Sequence, residues 1–206
     1  MRINIFLMLI FFNVISYASV VTDSEIKKLK QGEIIIKQQA NEYSGGQNSR
    51  TYIAIAIFKT DIDTIFNILT DFKTHPEFMP DLKSIIVNKR EDGVITTDNT
   101  IGLPLGKVKK YRLLFKLNKK DSDAQISWKM IDWPEVPKLQ SIDNTIGYWK
   151  FEKDKRVNDG IIVTYYVFTD PGEIPFGLGW IVDYFTEESI PKVLTNTRRY
   201  LSKKTE

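Results

Sequence analysis

Cysteine is absent from this chain of 206 residues. That excludes disulfide staples, thiolate metal sites and thiol redox chemistry. Histidine occurs once, at position 75, so an imidazole-based zinc site has no second ligand of its kind. Neither sign of charge dominates, with 29 Lys and Arg against 26 Asp and Glu. Such a balance implies no nucleic-acid partner. Gly-rich phosphate loops and Ser or Thr nucleophile elbows are missing too; Gly45-Gly46 lies between two strand-like runs, not before a helix. No internal repeat, low-complexity segment or domain linker interrupts the chain. Beyond residue 15 no apolar run approaches the roughly 20 residues that a membrane-spanning helix needs.

What is present begins with a leader. Arg2 gives a short positive start, and residues 3–15 are apolar apart from Asn4 and Asn13. Ser16-Tyr17-Ala18 then places small residues before Ser19. This is the pattern of a secretory signal peptide over residues 1–18, cut after Ala18; an uncleaved N-terminal anchor is the other reading. The expectation is a periplasmic or secreted protein whose residues 19–206 form one domain. A chain of that size buries enough surface to fold without disulfides.

The pattern along the chain is that of an α+β domain. A short helix is expected over 22–30, capped by Thr22 or Asp23 and ended by Gly32. Strands over 33–43 and 51–59 flank a turn and read as a hairpin. Asp61 is placed to cap a helix carrying Ile62, Ile65, Phe66 and Leu69 at helical spacing. Residues 74–80 form a turn, because the positions before Pro76 and Pro80 disfavour helix. Strands follow over 84–90, 94–97, 109–118, 124–130, 145–153 and 161–169. Their alternation is clean: Tyr111, Leu113, Phe115 and Leu117 oppose Arg112, Lys116 and Asn118, and Gly147, Trp149 and Phe151 oppose Tyr148, Lys150 and Glu152. Period two of this quality means a sheet with one buried and one wet face. A long amphipathic helix over 183–203 closes the chain, with a kink or a fresh start near Ser189 because Pro191 interrupts the ladder. Helices on one side of an antiparallel sheet are the expected arrangement.

Two segments carry a family likeness. The first is TYIAIAIFKTDIDTIFNILTDFKTHPEFMP, ending at Pro80, with its Asp71-Phe72 pair and proline-bounded aromatic turn. The second is YWKFEKDKRVNDGIIVTYYVFTDPGEIP, ending at Pro175, which leads into the terminal helix. Together they resemble the START/polyketide-cyclase-like (SRPBCC) superfamily, including its exported START-like and coenzyme Q-binding-like members. The resemblance implies a helix-grip fold, a curved antiparallel sheet wrapped around a long C-terminal helix. Members of that superfamily hold apolar molecules between sheet and helix, and some are cyclases or hydrolases. It also implies a monomer with no cofactor. A protein-interaction module remains a third reading.

The residues themselves offer little catalysis. His75 precedes a proline and reads as a solvated turn residue. Asp61 and Asp63 are helix-start carboxylates, Asp170 and Glu173 flank a Pro-Gly turn, and Asp71 is expected to cap the next turn. No spaced acid–base pair emerges. Arg112 is read as solvent-facing, and Arg198 and Arg199 as cations on a solvated helix end.

The aromatics say more. Of the four tryptophans, Trp128, Trp133, Trp149 and Trp180, most fall on inward faces. The expected cavity wall is Tyr111, Phe115, Trp128, Trp149, Phe151, Tyr165 and Tyr184; plain core packing is the competing reading. Two apolar loops are punctuated by Gly and Pro, one with Leu103 and Leu105 and the other with Phe176 and Trp180; packing against a sheet edge is one reading of them, and the resemblance implies the other, that they gate the cavity and touch a membrane transiently. The partner expected from all this is a lipid or another apolar small molecule.

Overall fold

The computed structural model describes residues 21–40, 42–43, 45–172 and 188–205. Eight strands form one antiparallel sheet: β1 (Ile35–Gln39), β2 (Arg50–Phe58), β3 (Leu82–Glu91), β4 (Val94–Gly102), β5 (Val108–Lys119), β6 (Asp123–Ile131), β7 (Asn144–Glu152) and β8 (Ile161–Asp170). Their order is β1-β2-β8-β7-β6-β5-β4-β3. The last strand therefore lies against the first hairpin, and β3 and β1 are the two edges. Among the described residues three α-helices accompany the curved sheet: α1 (Asp23–Lys30), α2 (Ile62–Thr70) and α3 (Ser189–Thr205). This is the α+β helix-grip architecture.

Local chemistry explains the element starts. Thr22 caps α1 in a reciprocal box, its hydroxyl accepting from the Glu25 amide while Glu25 accepts from the Thr22 amide at 2.9 Å. Asp61 caps α2, accepting from the Thr64 amide at 2.7 Å. Helix α3 holds Pro191 near the start of its Ser189–Thr205 span, where a proline costs little intrahelical hydrogen bonding.

Four features depart from the sequence reading. β4 continues to Gly102 through a polar run, because it pairs with β3 on one side and β5 on the other. Residues 74–80 are not a plain turn: a 3₁₀ helix spans Phe72–Glu77 with Pro76 inside it. The Asp71 side chain makes no capping bond there; its carbonyl accepts from Thr74 instead, at 3.1 Å from the amide and 2.9 Å from the hydroxyl. Finally, the helices do not share one face. α2 and α3 pack on the inward face with Tyr52, Ala54, Ala56 and Phe58 of β2. α1 packs on the other, where Ile26 and Leu29 meet Ile53, Ile55 and Ile162. β2 is apolar on both faces and so needs a cover on each.

Candidate functional site

The inward face of β4 to β8 does not close completely on α3. A cavity of about 250 Å³ remains, lined by side chains from β2 to β8 and by Ile190 and Val193 of α3. Tyr111, Phe115, Trp128, Trp149 and Tyr165 all line it, as does Leu103. Phe151 does not. It is fully buried in the core, paired with Ala124 and Val163, two residues farther along β7 than Trp149. Alternation fixes the face of a strand residue but not its depth along the strand. Leu105 is 77% exposed and holds a left-handed backbone with φ 62°. Tyr184, Phe176 and Trp180 lie outside the described residues. Trp133 is not part of the wall; the Arg112 guanidinium stacks over its ring at 4.8 Å.

The wall is a connected aromatic surface. Tyr165 packs against Trp149 at 4.5 Å and stacks on Trp128 at 5.7 Å, ring centre to ring centre. Trp128 in turn neighbours Phe115. The absence of a side chain at Gly147 permits this, since a Cβ there would collide with the Trp128 ring and the Tyr166 carbonyl. Near the Phe72–Glu77 helix the cluster continues through Phe72, His75 and Phe78 to Tyr200 of α3. That chain of rings ties α3 to the 3₁₀ helix.

His75 is the first correction to the electrostatic expectations. It is 7% exposed, not solvated, and its Nε2 meets the Leu69 carbonyl at 3.0 Å. Burial among Phe72 and Phe78 pushes its pKa down to about 4, so the imidazole is neutral at pH 7 and donates from Nε2. A histidine before a proline looks like a turn residue in sequence; here the 3₁₀ helix rotates it beneath α2. Burial likewise raises both cavity phenols, Tyr111 to about 12 and Tyr165 further, so each keeps its proton at neutral pH.

Two arginines also depart from expectation. Arg112 is not simply solvated: it forms a two-pronged pair with Asp98, at 2.6 and 3.0 Å. Arg198 reaches back from α3 to donate to the carbonyls of Gly32 and Ile57, both at 2.9 Å. The guanidinium lies over Phe58 at 5.3 Å, and desolvation lowers its pKa. It therefore clasps α3 to β2 and to the turn after α1. Arg199 is exposed. Sequence offers one signal that separates the two, since Arg198 lies one residue beyond the buried Thr197 and four beyond the buried Leu194.

No family model matches the sequence, and no curated protein matches it. Solved structures do match in fold. A STAR-related lipid transfer protein from Xanthomonas axonopodis superposes with a TM-score of 0.69 at 21% identity, over 82% of this chain and 93% of that one. Human StAR-related lipid transfer protein 5 gives 0.67 at 11% identity, over 85% and 84%. The Zhui aromatase/cyclase from Streptomyces gives 0.59 at 9% identity, over 77% and 96%.

Proposed function

We propose, from the START/SRPBCC helix-grip fold of this chain, that it binds a lipid or other apolar small molecule between its sheet and α3 and passes it on. The observation that carries this reading is the cavity itself: about 250 Å³ walled by Tyr111, Phe115, Trp128, Trp149 and Tyr165. An enclosed apolar wall with few polar groups is the usual form of a small-molecule site. Each Å² of apolar ligand surface covered would contribute roughly 25 cal/mol. The solved structures of similar fold include lipid transfer proteins and a cyclase, so a bound organic molecule is common ground between them.

The reading is of a carrier, not a catalyst. His75, the one imidazole at the cavity, spends Nε2 on a backbone carbonyl and is held neutral. Among the described residues the aromatic wall itself offers phenols rather than a nucleophile–base pair of the kind covalent catalysis uses. We place the protein in the periplasm of a diderm bacterium after loss of residues 1–18, acting as a monomer. Ligand would pass the loops holding Leu103, Leu105, Phe176 and Trp180 while they touch a membrane. Native mass spectrometry of the protein purified from its own periplasm tests the reading. An adduct of one apolar molecule, released on denaturation, is the expected result. An empty chain that also takes up nothing from lipid extracts would end the carrier reading.

A further inference from the structure

The charged groups of the cavity lining, Arg50, Asp81 and Lys109, stand at strand ends, and the aromatic depth offers the phenols of Tyr111 and Tyr165. Tyr111 and Tyr165 both line the cavity, and among the described residues neither phenol hydroxyl makes a hydrogen bond. Asn99, opposite Tyr111 in the β4–β5 register, also lines the cavity and is 2% exposed. Its three hydrogen bonds all run from Nδ2, to Thr97 O, Thr97 Oγ1 and Tyr111 O. That leaves Oδ1 as the side chain's spare acceptor. A phenol in an apolar wall without a partner is costly, and native proteins keep few such groups.

Charge is confined to the strand ends. Arg50 opens β2 and donates to the carbonyls of Gln47 and Ser49, both at 2.9 Å. Lys109, the second residue of β5, donates to Ser141 O at 2.6 Å. Both cations thus spend donors on backbone carbonyls. Tyr111 lies two residues deeper than Lys109, and Tyr165 four deeper than Thr169, the register partner of Arg50. An anion drawn to the aromatic depth would leave those cations behind and lose its hydration, a cost that uncharged groups escape. Size adds a second filter. At about 250 Å³ the cavity lies below the roughly 300–1,000 Å³ typical of drug-sized sites, which favours a compact ligand.

We infer that the cavity selects compact, uncharged molecules bearing an oxygen acceptor such as a ketone or ester carbonyl, held by the hydroxyls of Tyr111 and Tyr165. This rests on the carrier reading above and narrows it. The retained phenolic protons make both groups donors across the physiological range.

Three probes of one shape test it by calorimetry on the purified protein at pH 7.5: 2-acetylnaphthalene, 2-ethylnaphthalene and 2-naphthoate. The ketone should bind roughly tenfold more tightly than the hydrocarbon, since each hydroxyl contributes a few-fold. The carboxylate should bind more weakly than both. Tyr111→Phe with Tyr165→Phe should erase the ketone's advantage, leave ethylnaphthalene unchanged, and not lower the melting temperature, because no protein hydrogen bond is lost. Equal binding of ketone and hydrocarbon, or tightest binding of naphthoate, would overturn the selectivity while the carrier reading stands. A ketone preference that survives in the double variant would remove the phenols from it. Binding of none of the three would sink both.

Discussion

Trp149 and Tyr165 are register partners across β7 and β8, and their rings meet at 4.5 Å with 48° between planes. Both stand on the cavity wall. Trp149→Ala should cost about 3 kcal/mol, the low end for removal of a large aromatic, since part of the indole already faces unfilled space. Chemical denaturation gives the number. A loss below 1 kcal/mol would mean that the wall does not depend on this pair.

His75 should impose a pH dependence on stability. Its folded pKa of about 4 lies below the ordinary 6.5, so the unfolded chain binds a proton that the folded chain refuses. The contribution is fully present above pH 6.5 and is lost as pH falls toward 4, by roughly 3 kcal/mol. Denaturant midpoints of the wild type and His75→Gln, taken at half-unit steps from pH 4 to 7.5, isolate the effect from the carboxylates. The wild type should fall more steeply than the variant within that window. Parallel curves would show that the imidazole is not desolvated.

The strands and the two capped helices were legible because their signals are local. Thr22 with Glu25, Asp61 before Ile62, and Tyr111-x-Leu113-x-Phe115 each announce their roles within a few residues. The wall residues Trp128, Trp149 and Tyr165 were legible for the same reason, through period-two alternation. What escaped the sequence depends on partners far along the chain. Arg198 meets carbonyls at positions 32 and 57, His75 is buried by packing on α2, and Phe151 lies past the cavity because of its depth along β7. The two-faced burial of β2 escaped as well: Ile53 and Ile55 read as a hydrophobic run, and nothing local says that α1 returns to cover them.

Arg198→Met should be destabilising by roughly 2 kcal/mol, as two charge-assisted hydrogen bonds are lost, one to the exposed Gly32 carbonyl and one to the part-buried Ile57 carbonyl. Arg199→Met, one residue on and exposed, should change stability by less than about 0.5 kcal/mol. Hydrogen exchange should show faster exchange in α3 for the first variant alone. Equal effects from both would return Arg198 to the solvated helix face.

Export leaves a chemical trace. If residues 1–18 are removed, the N-terminus of the protein isolated from its native cells is Ser19, read by Edman degradation or by mass of the intact chain. The short positive start and small residues before Ser19 motivate this. Retention of Met1 on membrane-bound material would favour the anchor instead.

Leu105 gives the gate its sharpest test. The side chain is 77% exposed and its backbone is left-handed, φ 62° and ψ 24°. Both features disfavour leucine: the left-handed conformation costs a residue with a Cβ roughly 1–2 kcal/mol, and exposure wastes the apolar surface. Replacement by glycine removes the strain while adding chain entropy to the unfolded state, so Leu105→Gly should stabilise the fold by about 0.5–1 kcal/mol. On the carrier reading proposed above, the use of this exposed leucine would be contact with a bilayer during uptake. In a vesicle assay with a fluorescent lipid analogue, Leu105→Gly should therefore slow uptake several-fold although the protein is more stable. Phe176→Ser with Trp180→Ser should slow it in the same assay. Uptake at the wild-type rate in both variants would take these loops out of the route, and the ligand would have to enter elsewhere along the rim of the sheet.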